Sequence, residues 1–166
     1  MSSQGRATIF LGPDDGESLW CVGSLSTIKV AGPETCGAYA MLEDFAPHGS
    51  GAPPHPHDLD DEAFYILEGE VTFVIGDDIP RRATPGSFIF IPGGVTHAFE
   101  VNSPTARYLI ITTPRHMQFY RAIADPALGR MLPPDVPQDW ARIGAACDAF
   151  GVKGVEVEVL NAESQL

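Results

Sequence analysis

The stretch GSGAPPHPHDLDDEAFYILEG, residues 49–69, decides how the rest of this chain is read. His55 and His57 are two residues apart, so on a strand their imidazoles leave one face of the sheet about 7 Å apart. Glu62 follows the acidic segment Asp58 to Asp61, which is long enough to reverse the chain and return a carboxylate toward both rings. A second run supplies a third imidazole, with Gly86, Pro92, Gly94 and His97 in that order. Three imidazoles and one carboxylate suit a divalent transition metal with open coordination positions. The plain alternative for Gly49 to Pro56 is a loop stiffened by proline, which leaves the two histidines without a purpose. If strand parity turns all four donors inward, an ionised Glu62 without a cation would carry a heavy burial cost.

Outward from this stretch, short segments rich in β-branched and aromatic residues alternate with Gly, Pro and Asp from residue 7 to residue 113. Ala7 to Leu11, Leu19 to Val22, Leu25 to Val30 and Ala38 to Phe45 read as strands before the site. In Glu62 to Glu68, Phe64 and Ile66 share the face of Glu62, and apolar residues on both faces predict a strand covered on both sides. Val71 to Ile75 returns, Gly76-Asp77-Asp78 reads as a hairpin turn, and Pro85-Gly86 turns the chain again before Ser87 to Ile91. His97, Phe99 and Val101 share a face, and Arg107 to Thr112 follows. About ten short strands at this spacing predict an antiparallel sandwich or barrel.

After residue 113 the period becomes helical. Thr113 before Pro114 reads as a cap with proline in the first turn, and Asp125-Pro126 ends that helix. A second helix is expected after Asp135, with Gln138 completing a capping box, Trp140, Ile143, Cys147 and Phe150 as its apolar stripe and Gly151 as its stop. Both stripes are read as packing against the sheet. Val155 to Val159 alternates strictly and reads as an edge strand, open to pairing with a second subunit.

With 166 residues the expectation is one domain over 1–166, its barrel core near residues 25–113 and a helical extension over 114–151. Ten basic residues against 22 acids leave a net charge of −12, which argues against nucleic acid and anionic lipid as partners. No run approaches the roughly 18 apolar residues of a membrane span, and the polar start predicts a soluble, cytoplasmic protein. Cys21, Cys36 and Cys147 are odd in number and widely spaced, so they read as reduced structural thiols. His48 and His116 are assigned to the surface or a satisfied core, and Asp58, Asp60 and Asp61 to a solvated turn. Glu68 and Glu70 flank a turn and are expected to be exposed.

These two runs resemble the paired motifs of the cupin superfamily. The first agrees with the usual pattern at Gly49, His55, His57, Glu62 and Gly69, and the second at Gly86, Pro92, Gly94 and His97. The second departs at its last position, where Val101 stands and Asn102 comes one place late. The resemblance implies an all-β jelly-roll barrel (a double-stranded β-helix) with two C-terminal helices, and His55, His57, Glu62 and His97 as ligands of one ion among manganese, iron, cobalt, nickel, copper and zinc. The surroundings of the motifs are similar to single-domain quercetin 2,3-dioxygenases, which implies cleavage of a flavonol-like aromatic enol with dioxygen. Glu62 would then also be the base, and Phe64, Ile66, Phe99, Tyr39 and Met41 would line an apolar pocket. The same site also accommodates a metal-dependent isomerase, decarboxylase or cyclase, or a small-molecule-binding cupin without turnover. A homodimer is the expected assembly.

Overall fold

The computed structural model describes residues 7–135 and 137–154. Its strands are β1 (Glu17–Cys21), β2 (Ser24–Val30), β3 (Ala40–Pro47), β4 (Gly51–His55), β5 (Glu62–Glu68), β6 (Val71–Ile75), β7 (Arg81–Ala83), β8 (Phe88–Ile91), β9 (His97–Val101) and β10 (Thr105–Thr112). Helix α1 (Pro114–Ile123), the two-residue strand β11 (Asp125–Pro126) and helix α2 (Trp140–Phe150) complete the described chain. All pairings between these strands are antiparallel, in two sheets ordered β11-β1-β2-β3-β10-β5-β8 and β4-β9-β6-β7. The molecule is an all-β jelly roll with two C-terminal helices.

The long sheet works by alternation. On β3, Ala40, Leu42, Asp44 and Ala46 are buried while Met41, Glu43 and Phe45 are less so. Cross-strand register carries this inward face sideways, matching Leu42 with Ile110 and Ile110 with Phe64. Phe64 packs against Phe73 and Phe99 of the opposite sheet, with ring centroids 5.0 and 5.2 Å away. Residues of both sheets thereby share one interior, whose burial is the main favourable term in folding.

Several expectations change. Ala7 to Leu11 forms no strand. The proline-rich segment before His55 is a strand, β4, which pairs with β9 across an irregular register. The outer face of β5 is not covered, since Tyr65 is 40% exposed beside Phe88 and Phe90 of β8 at 61% and 55%. Asp60 is buried, accepting from the Thr113 hydroxyl and from Arg115, so it bolts the turn before β5 to the start of α1. Asp58 and Asp61 are exposed, as expected of turn residues. Thr113 caps α1 by accepting from the His116 N–H at 3.0 Å. Helix α2 starts later than expected, because Asp139 and not a box at Gln138 takes the cap, accepting from Arg142 N–H at 3.0 Å. Gly151 ends it in the left-handed region. Asn102 still closes the end of β9, since its side-chain oxygen accepts from the Thr72 hydroxyl at 2.5 Å. The segment Val155 to Val159 lies outside the described residues.

Gly69 and Gly76 both have positive φ, at 79° and 57°, yet differ in their surroundings. A Cβ on Gly69 would meet the Thr105 carbonyl oxygen at 2.3 Å, whereas one on Gly76 would meet nothing within 4 Å. Gly76→Ala should cost about 1–2 kcal/mol for the backbone alone. Gly69→Ala adds a collision with backbone and should cost about 3 kcal/mol or more, read as a lower urea midpoint at unchanged slope.

Candidate metal centre and cavity

The donors gather where the two sheets meet at one end of the jelly roll. His55 ends β4 and pairs directly with His97, the first residue of β9. His57 lies just past Pro56, held by a bridge to Val152 and by its carbonyl accepting from Gly94 N–H at 2.6 Å. Glu62 opens β5, opposite Thr112 on one side and Ile91 on the other. The imidazole centroids of His55, His57 and His97 lie 4.4–5.0 Å apart. Donor atoms of these three rings all fall within 4.8 Å of one another. Glu62 Oε2 lies 3.4 Å from His97 Nε2. The structure thus brings together all four side chains singled out from the sequence, each at most 6% exposed.

A fifth donor arrives from a helix. His116, 1% exposed, packs against His57 with the rings tilted and centroids 4.1 Å apart, and its Nε2 lies 3.6 Å from Glu62 Oε1. His57, Glu62 and His116 form a second close group of potential ligands. This corrects the assignment of His116 to surface or satisfied core. Its sequence signal was the capped start Thr113-Pro114 immediately after β10, which sets the third helical residue at the mouth of the site. Tyr120, one turn further along α1, donates its hydroxyl to Glu62 Oε1 at 3.1 Å. His48, by contrast, is exposed and reaches only the Asn102 carbonyl.

The ring nitrogens identify which atoms are free for a ligand. His55 Nδ1 lies 2.7 Å from the Pro53 carbonyl and His97 Nδ1 3.1 Å from that of Val95. A carbonyl only accepts, so both rings carry their proton on Nδ1 and direct an Nε2 lone pair elsewhere. His97 Nε2, His57 Nδ1 and His116 Nδ1 are buried without a hydrogen-bond partner among the described residues. Burial, with the neighbouring rings, lowers His55 to about 4 and His57 to about 3, so both are neutral at pH 7. Burial alone would raise Glu62, but the adjacent His116 and His97 rings outweigh it and hold the carboxyl well below its usual range. Imidazoles with orphaned nitrogens around an ionised carboxylate fit a divalent cation, which would satisfy them together.

Next to the donors lies a cavity of about 130 Å³. His55, His57, Glu62 and His116 form one side, and residues of α1, α2 and the strands β1, β3, β4, β9 and β10 form much of the rest. Of the five pocket residues expected from sequence, only Phe99 lines it. Phe64 and Ile66 are fully buried among core side chains. Tyr39 precedes β3 and is 46% exposed, and Met41 points outward into a surface groove beside Ile9 and Leu11. Asp44, 6% exposed, is the unforeseen polar group of the cavity wall. Burial pushes its carboxyl up to about 7, with the Glu62 charge adding to the effect and the Ser26 and Tyr108 hydroxyls opposing it.

That shift has a sign that stability measurements can read. A carboxyl raised from 3.8 to about 7 is neutral in the folded chain over a range where the unfolded chain is ionised. Its contribution is therefore intact below pH 3.8 and is lost as pH rises through 7, a total of up to about 4 kcal/mol. Asp44→Asn should be more stable than wild type at pH 8 by about 2–4 kcal/mol, with the gain vanishing near pH 4, in urea melts at both values.

Comparisons with known proteins agree with this geometry. A family model described as Cupin domain matches residues 41–112, which include all four expected ligands. Over 131 residues the chain is 27% identical to the quercetin 2,3-dioxygenase of Bacillus subtilis (strain 168), covering 78% of this chain and 38% of that protein. Over 71 residues it is 36% identical to the dimethylsulfoniopropionate lyase DddQ of Ruegeria pomeroyi, covering 43% of this chain and 35% of that one. Among solved structures, KdgF from a Halomonas species matches with a TM-score of 0.50 at 18% identity, over 55% of this chain and 79% of the other, a likeness of fold. The chain spans well under half the length of these two curated relatives. On the paired motifs, the jelly roll and the family match together, residues 41–112 match a Cupin domain and the chain resembles a quercetin 2,3-dioxygenase.

Proposed function

We propose that this chain is a metal-dependent enzyme of the dioxygenase type, acting on a small enolisable substrate. The observation that carries the reading is Glu62, an ionised buried carboxylate contacted by His97, His116 and Tyr120 at the wall of a cavity. His55, His57, Glu62 and His97 would hold the ion. A divalent transition metal there would supply Lewis-acid stabilisation of a substrate oxyanion and, if redox-active, access to dioxygen chemistry. The likeness to quercetin 2,3-dioxygenase over 131 residues supports the oxidative course.

The residues of this chain divide the remaining work. Glu62 is ionised at neutral pH and can accept the proton of an enol, but a carboxyl held so low is a weak base. The proton it takes must therefore already be acidic. Tyr120 is raised well above its usual range by burial and by the charge of Glu62, so it stays protonated and keeps one carboxylate oxygen oriented. Phe99, Phe119 and Trp140 line the cavity and limit water around the reacting oxygen.

Cavity size narrows the substrate. About 130 Å³ compares with ~150 Å³ for a cavity that takes one benzene ring and with roughly 300 Å³ at the lower end of pockets for drug-sized ligands. A flavonol has three rings, so the cavity volume supports a substrate about one ring in size within it. The same observation favours the second reading, a non-oxidative lyase or isomerase, which the match to the lyase DddQ also supports. The exposed Tyr65, Phe88 and Phe90 on the outer sheet face support a homodimer.

Oxygen consumption by the metal-loaded protein separates the two readings. With 3-hydroxy-4-pyrone, the single ring at the heart of a flavonol, uptake should exceed that with quercetin. Conversion of enolisable substrates under nitrogen, with no uptake in air for any metal, would replace the oxidative reading by the second one. Glu62→Gln should lower turnover at least about a hundredfold while elemental analysis still finds most of the ion. His97→Ala should lose the ion. His116→Ala should keep it but weaken turnover about tenfold or more, and His48→Ala should change neither.

A further inference from the structure

We infer that the Asp44 end of the cavity binds the organic cation of a small ligand, an onium or ammonium group. Asp44 projects from the inward face of β3 and lies in the cavity wall, and its Oδ1 is buried without a hydrogen-bond partner among the described residues. A carboxylate oxygen in that state costs free energy until a cation or a donor meets it. The Ser26 and Tyr108 hydroxyls act on this carboxyl, but Oδ1 stays bare and no cationic side chain answers it. Among the described residues no lysine or arginine lines the cavity, and Asp44 takes part in none of the ion pairs. Glu62, the other acid of this cavity, has three polar partners and belongs to the metal donors.

The walls match a cation as well. Phe99, Tyr108, Phe119, Tyr120 and Trp140 surround the same space. The face of an aromatic ring attracts a cation, most strongly where water is excluded. Tyr108 sits directly across the strand pair from Asp44 and is 2% exposed, so one ring and the free carboxylate oxygen belong to the same spot. Above pH 7, where Asp44 ionises, a neutral hydroxyl would satisfy Oδ1 yet leave its charge unanswered. The net charge of −12 further favours entry of cations over anions. Because this argument uses only the cavity, it holds for either course of the reaction and for the metal-free protein.

An isosteric pair tests the charge alone. Choline and 3,3-dimethylbutan-1-ol have the same shape, and only choline is a cation. Calorimetric titration of the full chain, metal-free and zinc-loaded, should give at least tenfold tighter binding of choline. Asp44→Asn keeps the shape of the side chain and should lower choline affinity at least tenfold while leaving dimethylbutanol unchanged, with circular dichroism reporting the fold. Ethanolamine binding more tightly than choline would assign the site to ammonium, and the reverse to onium, both within the inference. Equal affinity for the isosteres, choline binding indifferent to Asp44→Asn, or no binding of either at millimolar concentration would overturn it. Zinc content and oxygen uptake are read separately, so a failed reaction assignment and a failed cation site give different results.

Discussion

The structure depends on keeping one ionised carboxylate, Glu62, almost wholly out of water. At 2% exposure its charge would be prohibitive in an apolar interior, so the surrounding chain is organised to answer it. Pairing of β4 with β9 brings His55 and His97 face to face, and the bridge to Val152 keeps His57 in the same layer. Helix α1 adds His116 and Tyr120 from the other side. The same arrangement that lowers the cost of Glu62 leaves imidazole nitrogens without partners, and those nitrogens make the site fit for an ion.

The helices matter because they convert an open end of a jelly roll into a walled cavity. Asp60 receives both the Thr113 hydroxyl and Arg115, and Arg115 also donates to the Phe150 carbonyl at the end of α2 at 2.5 Å. One buried acid thus ties the turn before β5, the start of α1 and the end of α2 together. Helix α2 then lays Ile143 and Cys147 over the cavity, while Phe119 of α1 packs near Phe150 with centroids 6.1 Å apart. Limiting the volume to about 130 Å³ is the work of these contacts, and it sets the scale of any ligand more directly than the metal donors do.

Much of the site was legible because it depends on short-range geometry. The alternation His55, Pro56, His57 and the parity of β5 and β9 need only a period of two, and they hold in the structure. The same rule misplaced Met41 and Tyr39, since parity says which side chains share a face but not which face is inside. On β3 the inward set proved to be Ala40, Leu42, Asp44 and Ala46. Phe64 and Ile66 were placed on the correct face but one layer away from the cavity, in contact with the core. His116, Asp60 and Asp44 escaped because each is a single polar residue whose surroundings come from distant segments. The Asp139 cap was missed for a local reason, as two acids and a glutamine near the helix start all have capping chemistry.

From its sequence alone the chain determined an antiparallel jelly roll, its trailing helices and the identity of four convergent donors, because glycine and proline turns, strand alternation and motif spacing are local properties. Tertiary structure decided that His116 and Tyr120 join Glu62, that Asp44 faces the cavity with a bare oxygen, and that the cavity is one ring in size. Those outcomes depend on how far α1 and α2 close over the sheets. That closure is set by long-range contacts such as Asp60 with Arg115, which no spacing along the chain encodes.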